Sequence, residues 1–143
     1  MKKLFLAILF MFLLFTLIKG FRGVVRRVEH GRYTDGTYEQ STVPDEEGWS
    51  KSVEIEISDG KIVNVSYDEF NPETGSKAED DDYINKWRTA TSMQADPKQV
   101  YRALAMELVR KQDPKKVDDI TGASISSKVF RGLAIEVLRQ AKR

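Results

Sequence analysis

The sequence predicts a small α+β domain, in which an antiparallel β-meander packs against helices, preceded by a hydrophobic N-terminal segment. Apolar and polar residues alternate with a period of two through residues 49–58, and the pattern resumes at 61–67. Between these runs stands Asp59-Gly60, a pair typical of a two-residue hairpin turn. In the last third of the chain, apolar residues recur at three- and four-residue steps, which is a helical period.

The N-terminal segment, residues 1–21, is set apart by its composition. Residues 4–18 are apolar except for Thr16, and they follow a basic start. The run has the length of a signal-peptide core and is shorter than the roughly 20 residues of a typical spanning helix. Because no small-residue cleavage site follows, we expect an uncleaved anchor, with a cleaved signal peptide as the alternative. Residues 22–34 then form a basic linker, and residues 35–143 form the domain.

Composition excludes several kinds of site. The chain of 143 residues has no cysteine, which removes disulfides, thiolate catalysis and cysteine-type zinc sites. Its single histidine, His30, cannot build a metal cluster or a catalytic triad alone. A formal net charge of +1 gives no reason to expect a nucleic-acid partner. We therefore predict no catalytic residue and no metal site.

The first half of the domain should contain three strands and a loop. A turn at Asp35-Gly36 precedes an expected strand at residues 37–43. The alternating runs at 49–58 and 61–67 supply the second and third strands. Residues 70–78 are polar, contain Asn-Pro and Thr-Gly pairs, and are expected to form a loop.

Three helices should follow. The first is expected at residues 80–93, and the second starts after Asp96-Pro97, an N-cap followed by proline at the first helical position. That second helix should end near Lys111, before Asp113-Pro114. The third occupies residues 124–143, with apolar residues from Ile125 onward at helical spacing.

Small and hydroxyl side chains are concentrated around the start of the last helix, at residues 118–127, which read Asp-Asp-Ile-Thr-Gly-Ala-Ser-Ile-Ser-Ser. Serine or threonine at this place is a typical N-cap, and Gly122 permits the turn that leads into the helix. Free N–H groups and the positive end of the helix dipole also make such a terminus a phosphate site. From these residues alone, a plain cap and a phosphate site both stay open.

This stretch resembles the flavinylation motif of the FMN-binding domain family, Asp-x-x-Ser/Thr-Gly-Ala-Ser/Thr. The resemblance extends to Asp-Gly-x-Tyr at residues 35–38, to Gly48-Trp49 and to Asp-Gly-Lys-Ile at residues 59–62. In that family a dedicated transferase joins FMN, through its phosphate, to the last hydroxyl residue of the motif, which is usually threonine. The resemblance implies that Ser124 is the covalent FMN acceptor here.

The resemblance also implies roles for the neighbouring residues. The hydroxyls of Thr121, Ser126 and Ser127 would steady the phosphate, and Gly122 and Ala123 would allow its close approach. Asp118 would serve the modification step or hold the loop, because a carboxylate repels a phosphate. Four aromatic residues are either core residues or contacts of the isoalloxazine ring: Trp49, Tyr67, Tyr83 and Trp87.

The implied function is that of an extracytoplasmic electron carrier, rather than a stand-alone enzyme. The chain resembles small exported flavoproteins that are related to the FMN-carrying subunits of ion-pumping redox complexes. No Gly-x-Gly-x-x-Gly follows a strand, so the redox donor and acceptor should be other molecules. The expected partners are a flavin transferase and the membrane, through the N-terminal segment; a cleaved signal would instead give a secreted protein. Two alternatives stay open: non-covalent FMN binding, and a flavin-free surface interaction or antigen module.

Overall fold

The computed structural model describes residues 31–91 and 96–142. The strands are β1 (Gly36–Ser41), β2 (Ser50–Ser58), β3 (Lys61–Asn71) and β4 (Gly75–Ser76), and they form one antiparallel sheet in the order β1-β2-β3-β4. The helices are α1 (Asp81–Thr91), α2 (Pro97–Lys111) and α3 (Ser124–Gln140), with a 3₁₀ turn at Pro114–Lys116. This arrangement confirms the predicted α+β meander.

The predicted hairpin between β2 and β3 is confirmed. Asp59 and Gly60 both adopt positive φ, 52° and 68°, as a two-residue turn of this kind requires. The register then shifts: Ile57 faces Ile62 while Glu56 faces Asn64, which leaves one extra residue in β3. This bulge lies next to the turn, where the strand twists most strongly.

The expected loop at residues 70–78 is partly wrong. β3 continues to Asn71, and Gly75–Ser76 pairs with its end as β4. The inward-facing positions at the end of β3 carry Glu69 and Asn71, which are buried although polar. Their polarity interrupts the hydropathy alternation on which the prediction depended.

The helices pack on one face of the sheet, α2 against β3 and α3 against β1 and β2. Tyr67 of β3 lies between them, with its ring centroid 4.7 Å from that of Tyr101 and 5.4 Å from that of Phe130. Both contacts are edge-on, a favourable geometry for aromatic rings. The apolar stripe of α3 is buried as expected from Phe130 onward, whereas Val129 is half-buried and Ile125 is 80% exposed at the start of the helix.

The helix ends confirm one predicted cap and correct another. Asp96 caps α2 by accepting the N–H of Gln99 at 2.9 Å. The N-cap of α3 is Ala123 rather than a serine or threonine, and no side chain of the described residues caps it. At the far end of α3, Tyr33 pairs with Lys142, and the N–H of Thr34 donates to the carbonyl of Ala141 at 2.8 Å. The chain therefore enters the domain beside its C-terminal end.

Some predictions fall outside the described residues. These are the anchor or signal at residues 1–21, most of the linker at 22–34, and the end of the first expected helix after residue 91. None of the helices that the structure does describe is long and apolar enough to cross a membrane.

Candidate functional site

The start of α3 is an open helix N-terminus. Gly122 has φ of 78°, and the N–H of Ala123 closes the preceding turn on the carbonyl of Ile120 at 2.9 Å. The first bond into the helix runs from the N–H of Ser127 to Ala123 at 2.9 Å, so the N–H groups of residues 124–126 have no acceptor within the helix. Because Ser124 is exposed, its hydroxyl lies beside these free donors and the positive end of the helix dipole.

The other predicted motif residues divide into two groups. Thr121 and Gly122 are exposed in the turn, whereas Ser126 and Ser127 are buried. The Ser127 hydroxyl accepts the N–H of Ile120 at 3.1 Å and donates to the carbonyl of Ala123 at 2.9 Å. The Ser126 hydroxyl donates to Glu69 at 3.1 Å. These two hydroxyls hold the loop and helix together, and at Ser126 the backbone N–H is the group left for an anion.

Two ion pairs fix the loop that leads to Ser124. The Asp118 carboxylate lies 2.7 Å from Nζ of Lys111, and the Asp118 N–H donates to the Glu107 carboxylate at 3.0 Å. The Asp119 carboxylate lies 2.5 Å from the guanidinium of Arg131. Asp118 therefore ties the loop to α2 and Asp119 ties it to α3, which agrees with a loop-holding role for Asp118.

The contact of Asp118 with α2 should depend on pH. The Lys111 ammonium, as a hydrogen-bond donor, lowers the pKa of Asp118 below 3.8 and that of Glu107 below 4.5. Because both pKa values are lowered in the folded protein, the contact stabilises the fold at pH values above the ordinary pKa values of the two carboxylates. This stabilisation is lost as the pH falls through their pKa values in the folded protein. We expect the protection of the Asp118 amide against hydrogen exchange, relative to its intrinsic rate at each pH, to fall in that acid range.

The measurement is amide exchange by NMR, with carboxyl titration of Asp118 in the same samples. In Lys111→Met, the pKa of Asp118 should return towards its ordinary value, because the donor is removed. An unchanged Asp118 titration in that variant would contradict this account of the loop.

Behind the start of α3 lies a buried polar cluster, which we call the Glu69 cluster: Glu69, Tyr67, Lys77 and Ser126. Glu69 is 3% exposed, and its carboxylate accepts from the hydroxyls of Tyr67 at 3.0 Å and Ser126 at 3.1 Å. Its second oxygen lies 2.9 Å from Nζ of Lys77. Burial, reinforced by the Glu69 charge, raises the pKa of Tyr67, so this hydroxyl stays a neutral donor.

Lys77 joins this cluster to a group of aromatic rings. Its Nζ lies 4.6 Å from the centroid of Trp49 and 5.1 Å from that of Tyr83, distances at which a cation is attracted to a ring face. The Tyr83 and Trp87 centroids are 6.0 Å apart. Of the four aromatic candidates, Tyr67 belongs to the core, while Trp49, Tyr83 and Trp87 are half-buried.

Sequence reasoning missed Glu69 and Lys77. Glu69 carried one available signal, because it occupies an inward position if the alternation of β3 is extended past Tyr67. A glutamate at such a position needs partners, since burying an unpaired charge is costly. Nothing local indicated that the partners would be Lys77 and Ser126.

Comparison with known proteins identifies the family. The FMN-binding domain family matches residues 48–139, a span that includes Trp49, the Glu69 cluster and Ser124. This chain belongs to the FMN-binding domain family. The cofactor of this FMN-binding protein is FMN. The chain is also 36% identical over 110 residues to a 15 kDa lipoprotein of Treponema pallidum, covering 76% of this chain and 77% of that protein.

Two solved structures are similar to this FMN-binding domain. The crystal structure of the CPE2226 protein from Clostridium perfringens is 38% identical and gives a TM-score of 0.70, with 76% of this chain and 88% of that chain covered. A solution NMR structure from Clostridium thermocellum is 30% identical with a TM-score of 0.50, covering 76% of this chain and 92% of that chain.

The described residues fit FMN in two respects. A phosphate suits the open N-terminus of α3, where backbone donors have no side-chain cap. A planar ring suits the half-buried aromatic side chains of Trp49 and Tyr83. The Glu69 cluster connects the two places through Ser126 and Lys77.

Proposed function

We propose that the protein carries FMN as a phosphoester on Ser124 and that it transfers electrons between other redox partners. The observation that carries the proposal is the exposed Ser124 hydroxyl at the first position of a helix without a side-chain cap. A phosphate joined to this oxygen would meet the free N–H groups of the first turn and the positive end of the helix dipole.

The attachment needs an activated donor and an enzyme. A phosphoanhydride of FMN supplies the donor: the Ser124 Oγ–P bond forms as the P–O–P bond breaks, and the displaced phosphate leaves with its own substituent. The hydroxyl proton passes to a base of the flavin transferase. The exposed position of Ser124 gives that enzyme access, and the ion pairs of Asp118 and Asp119 hold the loop in place.

Electron transfer is the proposed outcome of carrying this cofactor. When bound, FMN supplies one- and two-electron chemistry, and the protein supplies its position and surroundings. Trp49 and Tyr83 would border the flavin ring, and the Lys77 ammonium would supply the nearby positive charge. Because the sequence contains no motif for a nicotinamide cofactor, the donor and acceptor would be separate molecules.

We also propose that the domain works outside the cytoplasmic membrane and is attached to it. The Treponema pallidum relative is a lipoprotein by name, which supports an exported, membrane-associated protein. This chain has no cysteine to carry a lipid, so its apolar residues 4–18 would provide the attachment.

The test of Ser124 is the intact mass of the full chain, produced together with a flavin transferase and then denatured. Wild type should gain the mass of FMN less one water, and Ser124→Ala should gain nothing. Ser124→Thr is the matched control, because it keeps an acceptor hydroxyl at the same place, and it should be modified like wild type.

The other outcomes separate the alternatives. A flavin that colours the native protein but adds no mass after denaturation would replace the covalent proposal with non-covalent binding. A colourless, folded and unmodified wild type would contradict a flavin carrier altogether. A modified Ser124→Ala protein would place the bond on another hydroxyl.

A further inference from the structure

A groove of about 1010 Å³ runs between the outer edge of β3 and the side of α2, and we call it the edge groove. Ser124, the loop before it and the rings of Trp49 and Tyr83 do not line this groove, and Tyr67 is the one residue of the Glu69 cluster that does. Three of its lining side chains are apolar and well exposed: Val63 at 46%, Phe70 at 47% and Met106 at 60%. The edge groove therefore presents apolar surface that the described part of the domain leaves uncovered.

One wall of the edge groove is an open strand edge. Within the described residues, β3 has a strand neighbour on this edge only at Phe70 and Asn71, which pair with β4. The N–H of Lys77 also donates to the carbonyl of Glu69 at 2.9 Å, so the backbone groups of Glu69 point to this edge. Because the direction alternates along a strand, the N–H and C=O of Val65 and Tyr67 point to the same edge.

At the start of β3, a side-chain amide makes the hydrogen bonds that a neighbouring strand would otherwise make. The Gln112 amide accepts the N–H of Ile62 at 2.9 Å and donates to its carbonyl at 2.7 Å. β4 at one end and Gln112 at the other thus leave open the stretch that contains Val65 and Tyr67. At roughly 3.3 Å per residue, this stretch suits an extended segment of about five to seven residues.

The wall formed by α2 carries a row of side chains spaced four residues apart: Lys98, Arg102, Met106 and Arg110. Arg110 pairs with Glu107 at 3.3 Å, whereas Lys98 and Arg102 form no ion pair with any described carboxylate. Two acidic residues line the edge groove outside α2: Asp68, whose carboxylate accepts from the Ser76 hydroxyl at 2.6 Å, and Glu79. On the α2 wall itself the charged lining residues are all basic, so the charge of this wall is positive.

A buried donor adds to these features. Tyr101 lines the edge groove, and its hydroxyl has no hydrogen-bond partner among the residues that the structure describes. A buried polar group without a partner is costly, and an occupant with a backbone carbonyl would supply one.

We propose that the edge groove binds an extended segment of a partner protein in which every second side chain, on the face turned towards α2, is either apolar or a carboxylate. The segment adds a strand to β3 through Val65 and Tyr67, as in other cases of strand addition. Its apolar side chains pack against Ala105, Met106 and Val109, and its carboxylates meet Lys98 and Arg102. This inference goes beyond the proposed flavin function and does not depend on it.

The probe is a fluorescent peptide of about seven residues, mixed with the full chain. Every second residue of it faces α2, with glutamate at these positions in one half and valine in the other, and threonine stands between them. Binding is measured by fluorescence polarisation, and amide exchange of Val65 and Tyr67 by NMR. The peptide should bind and slow the exchange of both amides. A lysine counterpart, and a glutamate peptide N-methylated at alternate residues, should each bind at least about tenfold more weakly.

Protein variants test the charged wall. Lys98→Glu/Arg102→Glu should weaken the glutamate peptide by about tenfold, because two attractions become repulsions. Lys86→Glu/Lys115→Glu removes the same charge outside the edge groove and should leave binding within about twofold. Equal binding of the N-methylated peptide, unchanged exchange of the two amides, or no binding at all would overturn the proposal. So would a dimer of the free protein with both amides already protected, since a second copy would then be the occupant.

Discussion

Replacing Glu69 with alanine should lower the free energy of unfolding by about 3–5 kcal/mol. The carboxylate is 3% exposed and holds three donors at once, from Tyr67, Ser126 and Lys77. Without it, the ammonium of Lys77, 13% exposed, loses its counter-charge, and two buried hydroxyls lose their acceptor. Removing one partner of a buried ion pair costs more free energy than the intact pair contributes to stability, because the partner groups that remain are still buried away from water. Urea unfolding followed by circular dichroism measures the effect.

Two further variants serve as controls for the Glu69→Ala measurement. Glu56→Ala removes an exposed glutamate from the neighbouring strand, and it should change the free energy of unfolding by no more than about 0.5 kcal/mol. Glu69→Ala/Lys77→Met should be more stable than Glu69→Ala alone, because the unpaired ammonium is removed as well. A single Glu69→Ala variant as stable as Glu56→Ala would show that the cluster is not a stabilising unit.

Replacing Phe130 with alanine should cost about 3–5 kcal/mol of unfolding free energy. The side chain is fully buried in α3, and its ring meets that of Tyr67 edge-on at 5.4 Å. The truncation removes buried apolar area and leaves a cavity beneath the strand that carries Glu69. Thermal and urea unfolding of the variant measure the loss.

Ile125→Ala is the control for Phe130, because Ile125 belongs to the same helix and is 80% exposed. It should change stability by about 0.5 kcal/mol at most. Equal losses for the two variants would contradict the packing described for α3, with its first turn at the surface and the middle of the helix in the core.

The parts of the fold that sequence predicted are those determined by neighbouring residues. Asp59-Gly60 forms its hairpin turn and Asp96 caps α2, since each depends on atoms a few residues away. The end of β3 was missed because Glu69 is buried there, and its burial depends on partners distant in sequence. The serine or threonine N-cap expected for α3 is absent because Ala123 takes the N-cap position, while the Ser127 hydroxyl bonds Ile120 and Ala123 rather than the first-turn N–H groups.

The candidate site divides in the same way. The motif around Ser124 is contiguous, so its place before a helix could be predicted, and the resemblance supplied its proposed chemistry. Sequence spacing does not indicate that Ser126 faces Glu69 of β3, 57 residues away. Lys77 and its two aromatic neighbours likewise come together only after β3 and β4 have paired.

The pairing of Tyr33 with Lys142 determines how far Ser124 lies from the N-terminal side of the domain. It places the entry of the chain at the end of α3, and α3 has 17 residues, so Ser124 lies about 25 Å from that entry along the helix. A tether through the N-terminal residues would therefore join the domain about one helix length away from Ser124, and it would leave the first turn of α3 distant from the point of attachment.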